Sequence, residues 1–188
     1  MEAVSPILEV RGNWAQEIDT FWAAARAVFH MPERSRLCGS HVHVSNGRTT
    51  RFTLPQMKRI AYGIVIYEPL LLECLMADRQ INPYCKPNTQ ASSQLRRCNS
   101  NGQVLQLIAG ASNAQSLRSI MQNDRQVLWN FDNTLPGKSG TIEFRGGRFL
   151  RGEARTKRWI AFVVSFIHML LSEVCFHEAS PPGLLCPH

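Results

Sequence analysis

CGSHVHVS (38–45) and GTIEFRGG (140–147) are the two stretches whose reading decides the fold. Successive strand residues point to opposite faces, so a strand that alternates polar with apolar side chains has a wet side and a dry side. His41 and His43 share one face of the first stretch, with Val42 and Val44 on the other. Glu143 and Arg145 share a face of the second, with Ile142 and Phe144 turned away from it. Neighbouring strands of this kind predict one sheet, with a core on its apolar side and His, Glu and Arg gathered on its polar side. A His-x-His run can present two imidazoles to one divalent ion or one phosphate, and a carboxylate from the adjacent strand completes a mixed site. The same residues also suit plainer roles: hydrogen-bonded strand histidines and a solvated Glu beside an Arg.

Outward from these strands the chain reads as helices and connections. Asn13 is placed to cap a helix whose apolar positions Ile18, Phe21, Trp22, Ala25 and Phe29 recur at helical spacing. Thr53 caps a long helix over 54–76, with Pro55 in its first turn. Residues 78–103, rich in Asn, Ser, Pro and Arg, read as a long surface loop. Its Arg79, Tyr84, Lys86, Arg96 and Arg97 suit either closure over an anion or a solvated connection. A short helix over 114–122 precedes VLWNFDN, a strand that turns through LPGKSG into the Glu143 strand as a hairpin. A last helix covers 153–176. The sum is an α+β domain with a largely antiparallel sheet and packed helices.

A chain of 188 residues with 44% hydrophobic and 19% charged content is one globular domain rather than a disordered segment. Its formal charge of +7 favours acidic partners: nucleic acid, nucleotide phosphate, a carboxylate substrate or an anionic membrane. The basic tract 145–158 lacks the interleaved aromatics of a single-strand binder, so nucleic acid is not the expected partner. Six scattered cysteines without a CxxC pair argue against a zinc ribbon. No signal sequence opens the chain, which leads us to expect a cytoplasmic protein with free thiols. The apolar run 159–176 is interrupted by Ser165, His168, Ser172 and Glu173 and is barely long enough to span, so a buried helix is expected rather than a membrane segment.

Taken in order, EAVSPIL (2–8), CGSHVHVS, RQINPYCKPN (79–88) and GTIEFRGG with the following WIAFVVSF (159–166) resemble the amidoligase family of carboxylate-amine ligases related to glutamine synthetase. The resemblance implies a glutamine-synthetase-like catalytic domain over 1–178, lacking its N-terminal part, and leaves 179–188 as a flexible tail. It implies ATP and magnesium (Mg2+) as cofactors. A substrate carboxylate would be phosphorylated and an amine would displace the phosphate, so the partners are small-molecule or peptide carboxylates and amines. By the same resemblance His41, Glu143 and Glu2 are metal ligands, and His43 contacts the nucleotide phosphates. Arg145 stabilises the transferred phosphoryl group, and Arg79 lies near the nucleotide or substrate with a catalytic or cofactor-binding role. Magnesium prefers oxygen donors, so His41 and Glu143 alone make a poor site and further carboxylates are required. The alternative is a non-catalytic module that holds a nucleotide, acidic ligand or protein partner through Arg79, Arg96, Arg97 and Arg145. Assembly into oligomers follows only by analogy with glutamine synthetase.

Overall fold

The computed structural model describes residues 3–30 and 38–172. Glu2 and the tail 179–188 lie outside the described residues. The two quoted stretches form β1 (Gly39–Val44) and β3 (Ile142–Arg148), paired antiparallel with His43 opposite Glu143 and Val42 opposite Phe144. A two-residue strand, β2 (Trp129–Asn130), pairs with the other edge of β3, with Trp129 opposite Phe144 and Asn130 opposite Glu143. The strand order is β1-β3-β2. The hairpin between β2 and β3 turns through a 3-10 segment at Asp132–Thr134 and through Gly137 and Gly140, whose positive φ of 78° and 81° suits glycine.

One irregularity shapes the site. Ser40 pairs with Gly147 and Val42 with Phe144, so Arg145 and Gly146 together face the single residue His41. This bulge kinks β3 where its polar face begins.

The apolar face is the floor of the core. Trp129 and Phe144 have no exposure, their ring centroids lie 4.7 Å apart, and Phe166 approaches Trp129 at 5.5 Å. Phe166 belongs to α7 (Glu153–Ser172), which packs on α2 (Leu54–Cys74) and on the sheet. The α2 N-terminus is fixed by a capping box: Gln56 N–H donates to Thr53 Oγ1 and Thr53 N–H donates to Gln56 Oε1. Ile60, Ala61 and Ile64 on its buried stripe have no exposure, and each Ile contributes about 2–3 kcal/mol by leaving water. Gly63 lets α7 approach, since a Cβ there would come within 2.3 Å of Leu170 Cδ2. Among the described residues, no helix is long and apolar enough to cross a membrane.

α1 (Trp14–Val28) forms as its spacing predicts and lies on α7, where Trp22 Nε1 donates to Thr156 Oγ1 at 2.9 Å. Asn13 does not cap it through its side chain; its backbone carbonyl accepts from Gln16 and Glu17 instead.

The largest difference from expectation is the segment 78–103. It is not a solvated loop. It holds α3 (Ala77–Gln80), α4 (Asn88–Ala91), a 3-10 turn at Leu95–Arg97 and the start of α5 (Asn101–Ala109), which precedes α6 (Ala114–Met121). Cys85, Asn88 and Ser92 are fully buried. The polar residues that suggested a loop are spent on backbone groups. Asn88 Nδ2 donates to Met121 O and Trp129 O, its Oδ1 accepts from Trp129 N–H, and Ser92 Oγ donates to Ile120 O. Buried backbone groups need partners, and here short polar side chains supply them.

Candidate active site

The polar face of the sheet gathers around Glu143, which is 3% exposed. Its Oε1 accepts from Arg145 Nη1 at 2.7 Å and lies 3.1 Å from His41 Nδ1 and 3.7 Å from His43 Nε2. Its Oε2 accepts from Asn130 Nδ2 at 2.8 Å. Strand pairing accounts for most of this: Asn130 and His43 are the cross-strand neighbours of Glu143 on either side, and the bulge carries Arg145 to His41. Burial pushes the Glu143 carboxyl up, but the His41 and Asn130 donors and the charges of Arg145 and His43 outweigh it and hold the pKa at about 2.

The carboxylate continues into a polar chain. Gln122 Nε2 donates to Asn130 Oδ1 at 2.6 Å, Gln122 Oε1 accepts from Phe131 N–H, and Asp132 Oδ1 accepts from Arg118 Nε at 2.7 Å. Asn130 is thereby oriented with its NH2 toward Glu143. On the solvent side, His43 Nδ1 lies 3.2 Å from Thr141 Oγ1 and 3.4 Å from Asn133 Nδ2.

Depth divides the cluster into two tiers. The side chains of Glu143 and Arg145 are 4% and 9% exposed, against 33% for His41 and 44% for His43, so a solute meets the imidazoles first. Arg79 lies beside the Arg145 backbone. It is buried, and its Nη2 donates to the Arg145 carbonyl at 2.6 Å. Arg96 and Arg97 are exposed on the 3-10 turn, and none of the hydrogen bonds or ion pairs around Glu143 described here includes them. Asn130 and Gln122 were not singled out from the sequence. A signal for Asn130 exists nonetheless, because the hairpin register through LPGKSG sets WN opposite EF.

Two buried arginines accompany one carboxylate, which leaves a surplus of positive charge before either histidine protonates. That balance fits a phosphate or carboxylate anion. Magnesium is a harder fit. Among the described residues no group of three or more His, Cys, Asp or Glu side chains is placed to hold a metal ion, and the one carboxylate is already engaged by Arg145, Asn130 and His41. Magnesium is commonly held by one or two carboxylates together with substrate phosphates and water.

An α+β domain whose antiparallel sheet carries a buried Glu-Arg pair rimmed by imidazoles is equipped to bind and polarise an anionic substrate. The family model described as "Putative amidoligase enzyme" matches residues 1–167, and the chain belongs to that family. Neither the curated proteins nor the solved structures include a match to it.

Proposed function

We propose that this chain is an ATP- and magnesium-dependent carboxylate-amine ligase domain, akin to glutamine synthetase, that works on the polar face of β1 and β3. The observation that carries this reading is the convergence of His41, His43 and Arg145 on one carboxylate oxygen of Glu143. Those are the four positions at which the chain most resembles the ligases. In the reaction, a substrate carboxylate oxygen attacks the terminal phosphorus of ATP and ADP leaves. The amine nitrogen then attacks the acyl carbon of the acyl-phosphate, the C–O bond to phosphate breaks, and the amine gives up a proton. Bound magnesium would offset negative charge on the phosphates.

The chain's own residues have separate tasks in this reading. Arg145, held by Glu143, presents a fixed positive charge to the phosphoryl group. His43, at the rim, contacts the phosphates, and His41 keeps Glu143 ionised and oriented. Asn130 holds the other oxygen of Glu143 so that the carboxylate cannot rotate away. Family membership supports the ligase class, and the surplus of positive charge supports an anionic, phosphate-bearing ligand.

The test is magnesium-dependent phosphate release from ATP in the presence of paired carboxylate and amine mixtures. Release that needs both substrates is expected, and Arg145→Met should abolish it. No release with any pair would end the ligase reading. A second reading, binding without turnover, is favoured by the engagement of Glu143 with its own neighbours. Nucleotide binding without any phosphate release would select it.

A further inference from the structure

Arg145 is gripped from two directions by one short piece of chain. Arg79 Nη2 donates to the Arg145 carbonyl at 2.6 Å, and Arg145 Nε donates back to the Tyr84 carbonyl at 3.3 Å. Immediately after Tyr84, Cys85 Sγ donates to the Arg79 carbonyl at 3.4 Å, which ties the ends of the segment together. The grip falls on the bulge, where β3 has one residue more than β1; on the other side the Arg145 N–H donates to the Leu128 carbonyl at 2.8 Å, and on the β1 side regular pairing is interrupted.

The Arg79 guanidinium also lies against β1. A Cβ at Gly39 would stand 2.8 Å from Arg79 Nη2 and 3.1 Å from both Cζ and Nη1. Gly39 has no positive φ, so it serves space rather than backbone conformation. Arg79 is 5% exposed, and its Nε is buried without a hydrogen-bond partner.

We propose that Arg79 is the positioning residue of the site: it locks the bulged Arg145 backbone, and so aims the Arg145 guanidinium at Glu143, without touching substrate itself. Gly39 is its counterpart on β1, kept small to admit the guanidinium. The kinetic consequence rests on the ligase reading, whereas the geometric one does not.

The experiment compares Arg79→Met, Arg79→Lys and Gly39→Ala in the full chain, with two readouts. The first is 15N-detected solvent exchange of the Arg145 Nε–H, which reports whether the guanidinium is still held on the Tyr84 carbonyl. In the native protein this proton is protected, and in Arg79→Met the protection is lost. Arg79→Lys, which keeps a cationic donor for the Arg145 carbonyl, falls between the two, and Gly39→Ala loses protection by less. The second readout is steady-state phosphate release, where Arg79→Met lowers kcat by on the order of 10- to 100-fold while KM for ATP changes little. If Arg79→Met does not fold, Arg79→Lys and Gly39→Ala carry both measurements. An Arg145 Nε–H that stays fully protected in folded variants, with only the melting temperature lowered, overturns the proposal. If the native chain releases no phosphate, the ligase reading fails and the exchange measurement alone still decides the role of Arg79.

Discussion

Glu68 in α2 and Glu143 in β3 are buried to the same depth, at 2% and 3% exposure, yet their carboxyls move in opposite directions. Burial pushes Glu68 up, and its partners do not reverse this: the Thr89 hydroxyl and the backbone amides of Thr89 and Asn88. Burial pushes Glu143 up as well, but His41, Asn130, Arg145 and His43 more than offset it. At both sites hydrogen bonds lower the carboxyl, but only at Glu143 do they, together with the charges of Arg145 and His43, outweigh burial. Glu68 thus stitches α2 to α4, while Glu143 belongs to a charged assembly whose cations have reason to be there.

The sharpest way to break this comparison is to neutralise each glutamate in turn. Glu143→Gln leaves Arg145 as a buried charge without its counter-ion and should cost about 3–5 kcal/mol, read from the urea midpoint at pH 7. A cost below that of Glu68→Gln would show that the charged pairing is not what holds the site.

Next in size is the acid limb of stability. Glu143 has a folded pKa of about 2 against an ordinary 4.5, so its contribution is present above the unfolded value and disappears as pH falls from 4.5 toward 2. The full loss is about 3 kcal/mol, and Glu143→Gln should flatten that part of the profile. Glu68 has the opposite sign: its folded pKa is raised, so the fold loses stability as pH climbs above 4.5. The penalty for Glu68→Gln should accordingly shrink across that rise, which denaturation at pH 4, 5 and 6 will reveal.

Removing a neutral donor should cost less. Asn130→Leu deprives both Glu143 Oε2 and the Gln122 amide of a partner, for about 1–3 kcal/mol, and should raise the Glu143 carboxyl in a 13C titration. Smallest is Glu68→Gln itself, at about 1 kcal/mol near neutral pH, because it strands no charge and disturbs only the Thr89 side of its hydrogen bonding.

The working strands were legible in the sequence because alternation of polar and apolar residues is a direct image of the sheet's two faces. HVHV and IEFR pair as that alternation demands, and the β2–β3 hairpin follows from its turn. The α2 helix was legible for a similar reason, since Thr53, Pro55 and an apolar stripe mark a start and a buried face. What the pattern could not carry was the segment 78–103, where Asn88 and Ser92 act as internal partners for backbone groups far along the chain. Hydrophobic periodicity does not register such contacts, so a buried stitch and a solvated loop look alike. The depth of Arg79 was hidden in the same way, because its partner is a carbonyl on a bulge that no spacing rule announces.

The Asn88 amide has a further consequence for how the protein reaches its native state. It exchanges two hydrogen bonds with the backbone of Trp129, as a neighbouring strand would, across 41 positions of sequence. A two-residue strand is too short to hold its own edge, so β2 becomes secure only after that long loop closes and this one side chain is delivered. The sheet under the candidate site should therefore be completed late in folding, and Asn88→Ala should chiefly speed unfolding while leaving the refolding rate nearly unchanged.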